Sequence, residues 1–225
     1  MAAIKIPDTH KGGVTKLITL PEKSIHQIIS AFEGVAPKFF PEELSKEVIS
    51  KIDGVSSDDL LEIISAVLSL SKHRVHDDMP PEELAEQIVQ AMLEGPVEDV
   101  ALIKRNQLGL KQLLLRFFQI ETLLISAKAS GIMLSHENIF CTARIITDVR
   151  PVFGSDPNVS PTAAVMVHML NLSYHHEGQV KELYIAMDTV DIETLRAALD
   201  RADLKSQSLK SLIKRAGLTH LDPLD

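Results

Sequence analysis

The sequence predicts an α+β fold, with an N-terminal all-helical domain followed by a three-stranded antiparallel meander and a long C-terminal helix. Apolar residues recur at helical spacing through residues 16–132, between helix-start signals and glycine stops. After Gly131 the period of apolar residues changes to two, and it returns to helical spacing from Asp188 onward. We therefore expect a mobile N-terminal arm at residues 1–15, a helical domain at 16–132 and a strand-strand-strand-helix unit at 133–225.

The arm is predicted because its residues, which include Pro7, Gly12 and Gly13, show no sustained periodicity. The helices that follow have clear starts, with serine caps, proline at a first helical position, and paired carboxylates that complement the helix dipole. These starts are Ser24, Pro41, Ser56 or Ser57, and Asp78 before Pro80 and Pro81. Asn106 and Gly109 predict a break before a long helix at Leu110–Ala129.

Alternating residues predict a long first strand at Asn138–Val152, in which Cys141 shares an apolar face with Ile139 and Ala143. A second strand at Ala163–Tyr174, a hairpin turn at His175–Gln179 and a third strand at Val180–Met187 follow. Asp188 then caps the last helix. We expect this helix to cover one face of the meander and to leave sheet edges that a single chain cannot pair, so association with another copy is expected.

Composition argues against several classes of function. The chain has 31 acidic and 23 basic side chains and a formal net charge of −8, which would repel a nucleic-acid backbone. It has no Trp and only two Tyr, so aromatic platforms for stacking bases are scarce. The basic residues near the end of the last helix are explained by the helix dipole, and DNA binding through them is a minor alternative. These residues are Lys205, Lys210, Lys214 and Arg215.

The single cysteine, the absence of a leader-like N-terminus and the short apolar runs favour the cytoplasm, without membrane contact. No glycine-rich phosphate loop, nucleophile elbow or zinc-ligand spacing occurs, so the sequence favours a protein without catalysis or cofactor. No motif in the sequence supports an enzyme.

One cluster leaves an alternative open. His73, His76 and Asp77 have side chains that suit a divalent metal, which would make the protein a metal-dependent hydrolase or another phosphate-handling enzyme. The favoured interpretation is a helix end, where His complements the dipole and Asp caps the next helix. His175 and His176 are interpreted as turn residues, even with His168 nearby, and Cys141 as a buried, inert thiol.

Residues 136–216 resemble the COMM-domain proteins in their order of elements. The segments that carry the resemblance are IFCTARIITDVRPVF, AAVMVHMLNLSY and VKELYIAMDTVDIETLRAALDRA, the last of which runs from a strand directly into a helix through Asp188. The resemblance implies an obligate dimerisation module in a scaffold subunit without known catalysis. We therefore expect a homodimer. Separately from the resemblance, we expect the helical half to offer a groove or face to a protein partner of unknown identity. The residues that we expect at the dimer interface are Ile145, Val165, Val167, Leu183, Ile185, Leu195 and Leu199.

Overall fold

The computed structural model describes residues 4–76, 79–94 and 100–222, without the side chains of Val75 and His76. The predicted α+β class is confirmed: a helical region precedes an antiparallel sheet and a long C-terminal helix. Two compact units are present. The helical unit comprises the described residues up to Met133 together with Leu221 and Asp222, and the α+β unit comprises Leu134–His220.

The helices of the helical unit that have predicted start signals begin close to them. Its second helix begins at Glu22, directly after Pro21 and two residues before the predicted cap Ser24. The described helices of this unit are α1 (Asp8–Thr19), α2 (Glu22–Ala31), α3 (Pro41–Val48) with a 3₁₀ turn (Ile49–Lys51), α4 (Ser57–His76), α5 (Pro81–Glu94), α6 (Val100–Arg105), α7 (Gln107–Phe118) and α8 (Glu121–Leu134).

Helix α4 is the centre of this unit. The Ser56 hydroxyl oxygen accepts a hydrogen bond from the Asp59 backbone N–H at 3.1 Å, which satisfies a donor that the first helical turn leaves free. Leu60, Ile63 and Ile64 on α4 are fully buried in the core of the unit. The wide apolar face of α4 is thus explained by its central position.

The predicted N-terminal arm is wrong over residues 8–15, which belong to helix α1. Gly13 and Val14 are buried where α1 packs on α4. A Cβ atom at Gly13 would lie 2.2 Å from the backbone oxygen of Glu62. The glycine that suggested mobility is thus required for close contact between two helices, and a sequence pattern alone does not separate these two uses.

The long helix predicted at Leu110–Ala129 is also wrong, because the chain breaks at Gln119 and Ile120. The break at Asn106 was predicted, but this second one was not. Helices α7 and α8 are bent by 74° relative to each other. In its new direction α8 lets the Thr122 hydroxyl donate to the Val35 carbonyl at 2.8 Å. The break is thus associated with a long-range contact that local helix propensity does not report.

Among the described residues, no single helix combines the length and the apolar composition needed to cross a membrane. Helices α7 and α8 reach the required length and apolar composition only when they are taken together, across the bend between them.

The sheet of the α+β unit has the order β1-β2-β3, and both connections are antiparallel. Its strands are β1 (Asn138–Val152), β2 (Ala163–His176) and β3 (Gln179–Met187). Glu177 and Gly178 both have positive φ, as a tight turn between twisted strands requires. The predicted meander therefore forms with nearly the predicted strand limits.

A β-bulge at Cys141 changes the alternation of β1. Phe140 lies opposite Tyr174 whereas Thr142 lies opposite Ser173, so Cys141 is an extra residue in β1. From the bulge onward the phase of side chains is reversed, and Phe140 falls on the face of Ala143. The predicted apolar face shared by Ile139, Cys141 and Ala143 is therefore wrong, and the Cys141 thiol is only half-buried.

Helix α9 (Thr189–Arg215) begins with a reciprocal cap. The Asp188 carboxylate accepts from the Asp191 backbone N–H, and the Asp191 carboxylate accepts from the Asp188 backbone N–H, at 2.9 and 3.0 Å. The predicted cap is confirmed. The expected cover of the sheet is not, because no residue of α9 is buried.

Candidate interaction surface

One face of the sheet is mostly apolar. Directly opposed residues of antiparallel strands lie on the same face, so the strand register assigns every side chain to one face or the other. The members of the apolar face are Phe140, Ala143, Ile145, Val149, Met166, Leu170, Leu172, Tyr174, Leu183, Ile185 and Met187. Most of them are exposed, and Phe140 and Val149 are each about two-thirds exposed. A surface of this kind is unusual for a chain that acts alone.

Lys181 and Gln179 lie on this face near the turn between β2 and β3. Two other polar side chains of the face, farther from that turn, bond to each other. The Thr147 hydroxyl and His168 Nδ1 lie 2.8 Å apart and share a hydrogen bond between β1 and β2. This bond satisfies one polar atom on each side chain, so burying this part of the face costs less than burying two unpaired groups.

The opposite face, which we call the mixed face, carries charge. Arg144, Asn171 and Tyr184 form one row across the three strands, and Glu182 lies beside Tyr184 on β3. The Tyr184 hydroxyl donates a hydrogen bond to the Glu182 carboxylate, which raises the pKa of the tyrosine. Asn171 is buried within this row. The mixed face therefore combines these polar groups with exposed apolar side chains such as Ile146 and Val180.

Helix α9 carries a second unpartnered apolar surface, which we call the α9 stripe. Its members are spaced by three, four or seven residues, and such spacings place them along one side of the helix. They are Ile192, Leu195, Leu199, Ala202, Leu209 and Ile213. Leu199 is 60% exposed. A leucine-rich side of a helix normally packs on a neighbour, and within the described chain this one does not.

The interface residues predicted from the sequence fall on three surfaces. Ile145, Leu183 and Ile185 are on the apolar face, and in particular Ile145, Leu170 and Ile185 form one cross-strand row. Val165 and Val167 are on the mixed face, because they alternate with Met166 in β2. Leu195 and Leu199 belong to the α9 stripe. The structure thus brings part of the predicted set together and separates the two valines from it.

Alternation along β1 in the sequence assigned Phe140 to the wrong face, and the predicted interface set does not contain it. The bulge at Cys141 moves this aromatic side chain onto the apolar face, and strict alternation along β1 puts it on the other side. A signal existed in the apolar pair Ile139 and Phe140, since two adjacent apolar residues in an otherwise alternating strand are compatible with a bulge.

The metal-site alternative cannot be built from the described chain. Asp77 and the side chain of His76 lie outside the described residues, and His73 is a half-buried residue on α4 that has an interaction partner. His175 and His176 belong to the end of β2, where His176 Nδ1 donates to Asn138 Oδ1 at 3.0 Å. No group of three metal-ligating side chains occurs among the residues that the structure describes.

Two open grooves lie on the helical unit, on either side of Arg116. One runs between the end of α1, α2 and α7 and has a volume of about 300 Å³, and the other lies at the end of α2 and the start of α8 with about 520 Å³. Arg116 Nη2 donates to His26 Nδ1 at 3.1 Å. The linings mix aliphatic and polar side chains, so the grooves indicate no particular reaction.

No protein-family model matches the chain, and no curated protein matches it. The resemblance to COMM-domain proteins therefore rests on the order of elements and the sequence segments of residues 136–216.

Proposed function

We propose that the protein is a non-catalytic interaction or scaffold protein that homodimerises through its α+β unit. The observation that carries the proposal is that this unit exposes two extensive apolar surfaces, the apolar face and the α9 stripe, neither of which packs on the other within one chain. In water the exposure of both surfaces is unfavourable, and a partner that covers them stabilises the fold.

The amount of exposed surface supports a large interface. The accessible surface of the chain is 14478 Å². A folded chain of this mass exposes about 10,000 Å² as one compact body, or about 12,000 Å² as two bodies of the observed lengths. The excess of about 2,000 Å² or more per chain exceeds the roughly 800 Å² that each partner buries in a standard interface. Part of this excess belongs to the exposed side chains of the apolar face and the α9 stripe, which a partner would bury.

The dimensions of the two surfaces support a second copy as that partner. The 27 residues of α9 span about 40 Å as a helix, and the 14 residues of β2 span about 46 Å as a strand. The α9 stripe of one chain can therefore lie along the apolar face of another. A twofold axis repeats the same contact in the opposite sense, so both copies bury both surfaces at once.

The resemblance to COMM-domain proteins supports the same proposal, since that family dimerises through a unit of this layout. A protein partner bound by the helical half belongs to the proposal as well. We assign no partner surface on the helical unit.

A matched pair of helix variants tests the dimer. Leu199→Asp places a charge in the α9 stripe, where dimerisation would bury it, and we expect it to convert the dimer to a monomer. Leu204→Asp is the control, because Leu204 is an equally exposed leucine on the opposite side of α9. We expect it to remain dimeric in light scattering at micromolar concentration. Equal masses for Leu199→Asp and the parent dimer would contradict the assignment of the stripe.

A further inference from the structure

Strand β2 is longer than its neighbour β3. The last residue pair between them joins His168 to Met187, so the segment Ala163–Val167 has no strand on that side among the described residues. On its other side the same segment is fully paired with β1, from Asp148 opposite Val167 to Val152 opposite Ala163. We call Ala163–Val167 the free edge.

The free edge carries none of the charges, prolines or bulges that protect many exposed strands. Its sequence is Ala-Ala-Val-Met-Val. The outer edges of the same sheet do carry such devices. On β1 they are the Cys141 bulge, Arg144, Asp148, Arg150 and Pro151, and on β3 they are Lys181 and Glu182. Within one sheet, the outer edges therefore carry groups that disfavour pairing with another strand, and the free edge does not.

The free edge also lies in the least supported part of the sheet. There β1 and β2 form a two-stranded ribbon of five residue pairs beyond the end of β3. Its apolar side chains Val149, Val165 and Met166 are all more than half exposed. A two-stranded ribbon is marginally stable in water by itself, so a third strand at this position would stabilise it.

We propose that the free edge pairs with the free edge of a second copy, in antiparallel orientation and centred on Val165. A twofold axis at Val165 places Ala163 opposite Val167 and Ala164 opposite Met166 of the other copy, so only apolar side chains lie directly opposite one another and no like charges do. Since β2 begins at Ala163, the added segment ends before it would reach the position of Met187, and its Ala163 lies next to Asp188, where the chain leaves β3 for α9. The two sheets then join with the strand order β1-β2-β2-β1 at the contact.

This contact differs from the proposed dimer interface. It uses backbone N–H and C=O groups at an edge, whereas the proposed dimer uses side chains of the apolar face and the α9 stripe. The two contacts can therefore be broken separately by substitution, and either can fail without the other.

Backbone hydrogen exchange of the full chain tests the contact. We expect alternate amides of the free edge to be protected, and the protection to rise with protein concentration. Val165→Lys introduces the charge that other edges use against pairing, on the mixed face beside Arg150. We expect this variant to lose that protection and to show a lower mass in light scattering. Val165→Thr, which keeps the β-branched shape, is the control and should keep both.

Free-edge amides that exchange at unprotected rates while the parent protein is associated would overturn the edge contact and leave the face contact standing. Conversely, a Leu199→Asp protein of unchanged mass, with a Val165→Lys protein of lower mass, would support the edge and overturn the face. If Val165→Lys also loses protection in β1, the ribbon itself has opened. Ala163→Lys, at the start of the strand, then repeats the test.

Discussion

Gly13 illustrates how one residue can determine the contact between two helices. A side chain there would meet the backbone of Glu62, which cannot move away as the end of a flexible side chain can. Gly109, in α7, is a useful contrast because nothing lies within 4 Å of the position that its Cβ would occupy. The two glycines look alike in the sequence and differ only in their surroundings.

Substitution of these glycines should change stability in opposite directions. Gly13→Ala forces α1 away from α4, and we expect it to lower the free energy of unfolding by about 1–3 kcal/mol. Gly109→Ala removes backbone freedom from the unfolded chain without a clash, and we expect it to raise that free energy by about 0.5–1 kcal/mol. Urea unfolding followed by the helical circular dichroism signal measures both. A Gly13→Ala protein as stable as the parent would contradict the close helix contact.

At the scale of elements, the residues that start and stop helices and strands made much of the fold predictable. The limits of β1 and the cap of α9 follow from local signals, such as the change in period after Gly131 and the carboxylate of Asp188. The break at Gln119 was not predictable, because it is associated with a hydrogen bond from Thr122 to the distant Val35 carbonyl. The bulge at Cys141 was missed because two strands must be aligned before an extra residue is visible.

The cap of α9 gives a prediction at this scale. Asp188→Ala removes the acceptor of the Asp191 backbone N–H, and we expect it to destabilise the start of α9 by about 1 kcal/mol. Faster hydrogen exchange of the Asp191 amide is the direct measurement. Asp200→Ala, in the exposed middle of the same helix, is the control and should leave that amide unchanged. If both variants exchange alike at Asp191, the cap does not hold the helix start.

At the scale of the whole molecule, the helical unit and the α+β unit differ in how they are stabilised. The helical unit has a continuous apolar core that includes Val14, Ile63 and Phe117. In the α+β unit only Leu170, Asn171 and Met187 are buried, out of three strands and a 27-residue helix. The first unit satisfies its apolar residues within one chain, and the second does not.

The sequence predicted that the C-terminal unit has apolar surfaces, but it did not predict which residues share each surface. Alternation in β1 and the helical spacing of Leu195 and Leu199 indicated apolar surfaces on the C-terminal unit. The division of the predicted residues between two faces required the register of β1 with β2, which places Val165 opposite Arg150. That α9 leaves the sheet uncovered could not be predicted, because an amphipathic helix has the same pattern whether it packs on its own sheet or on another.

Dimerisation through the α+β unit is the central claim, and the solution mass of the full chain tests it most directly. Sedimentation equilibrium at micromolar concentration should give a mass of about 50 kDa, twice the 24.8 kDa of one chain, or a larger even multiple where free edges also pair. A single species of 24.8 kDa that persists as the concentration is raised would contradict the claim.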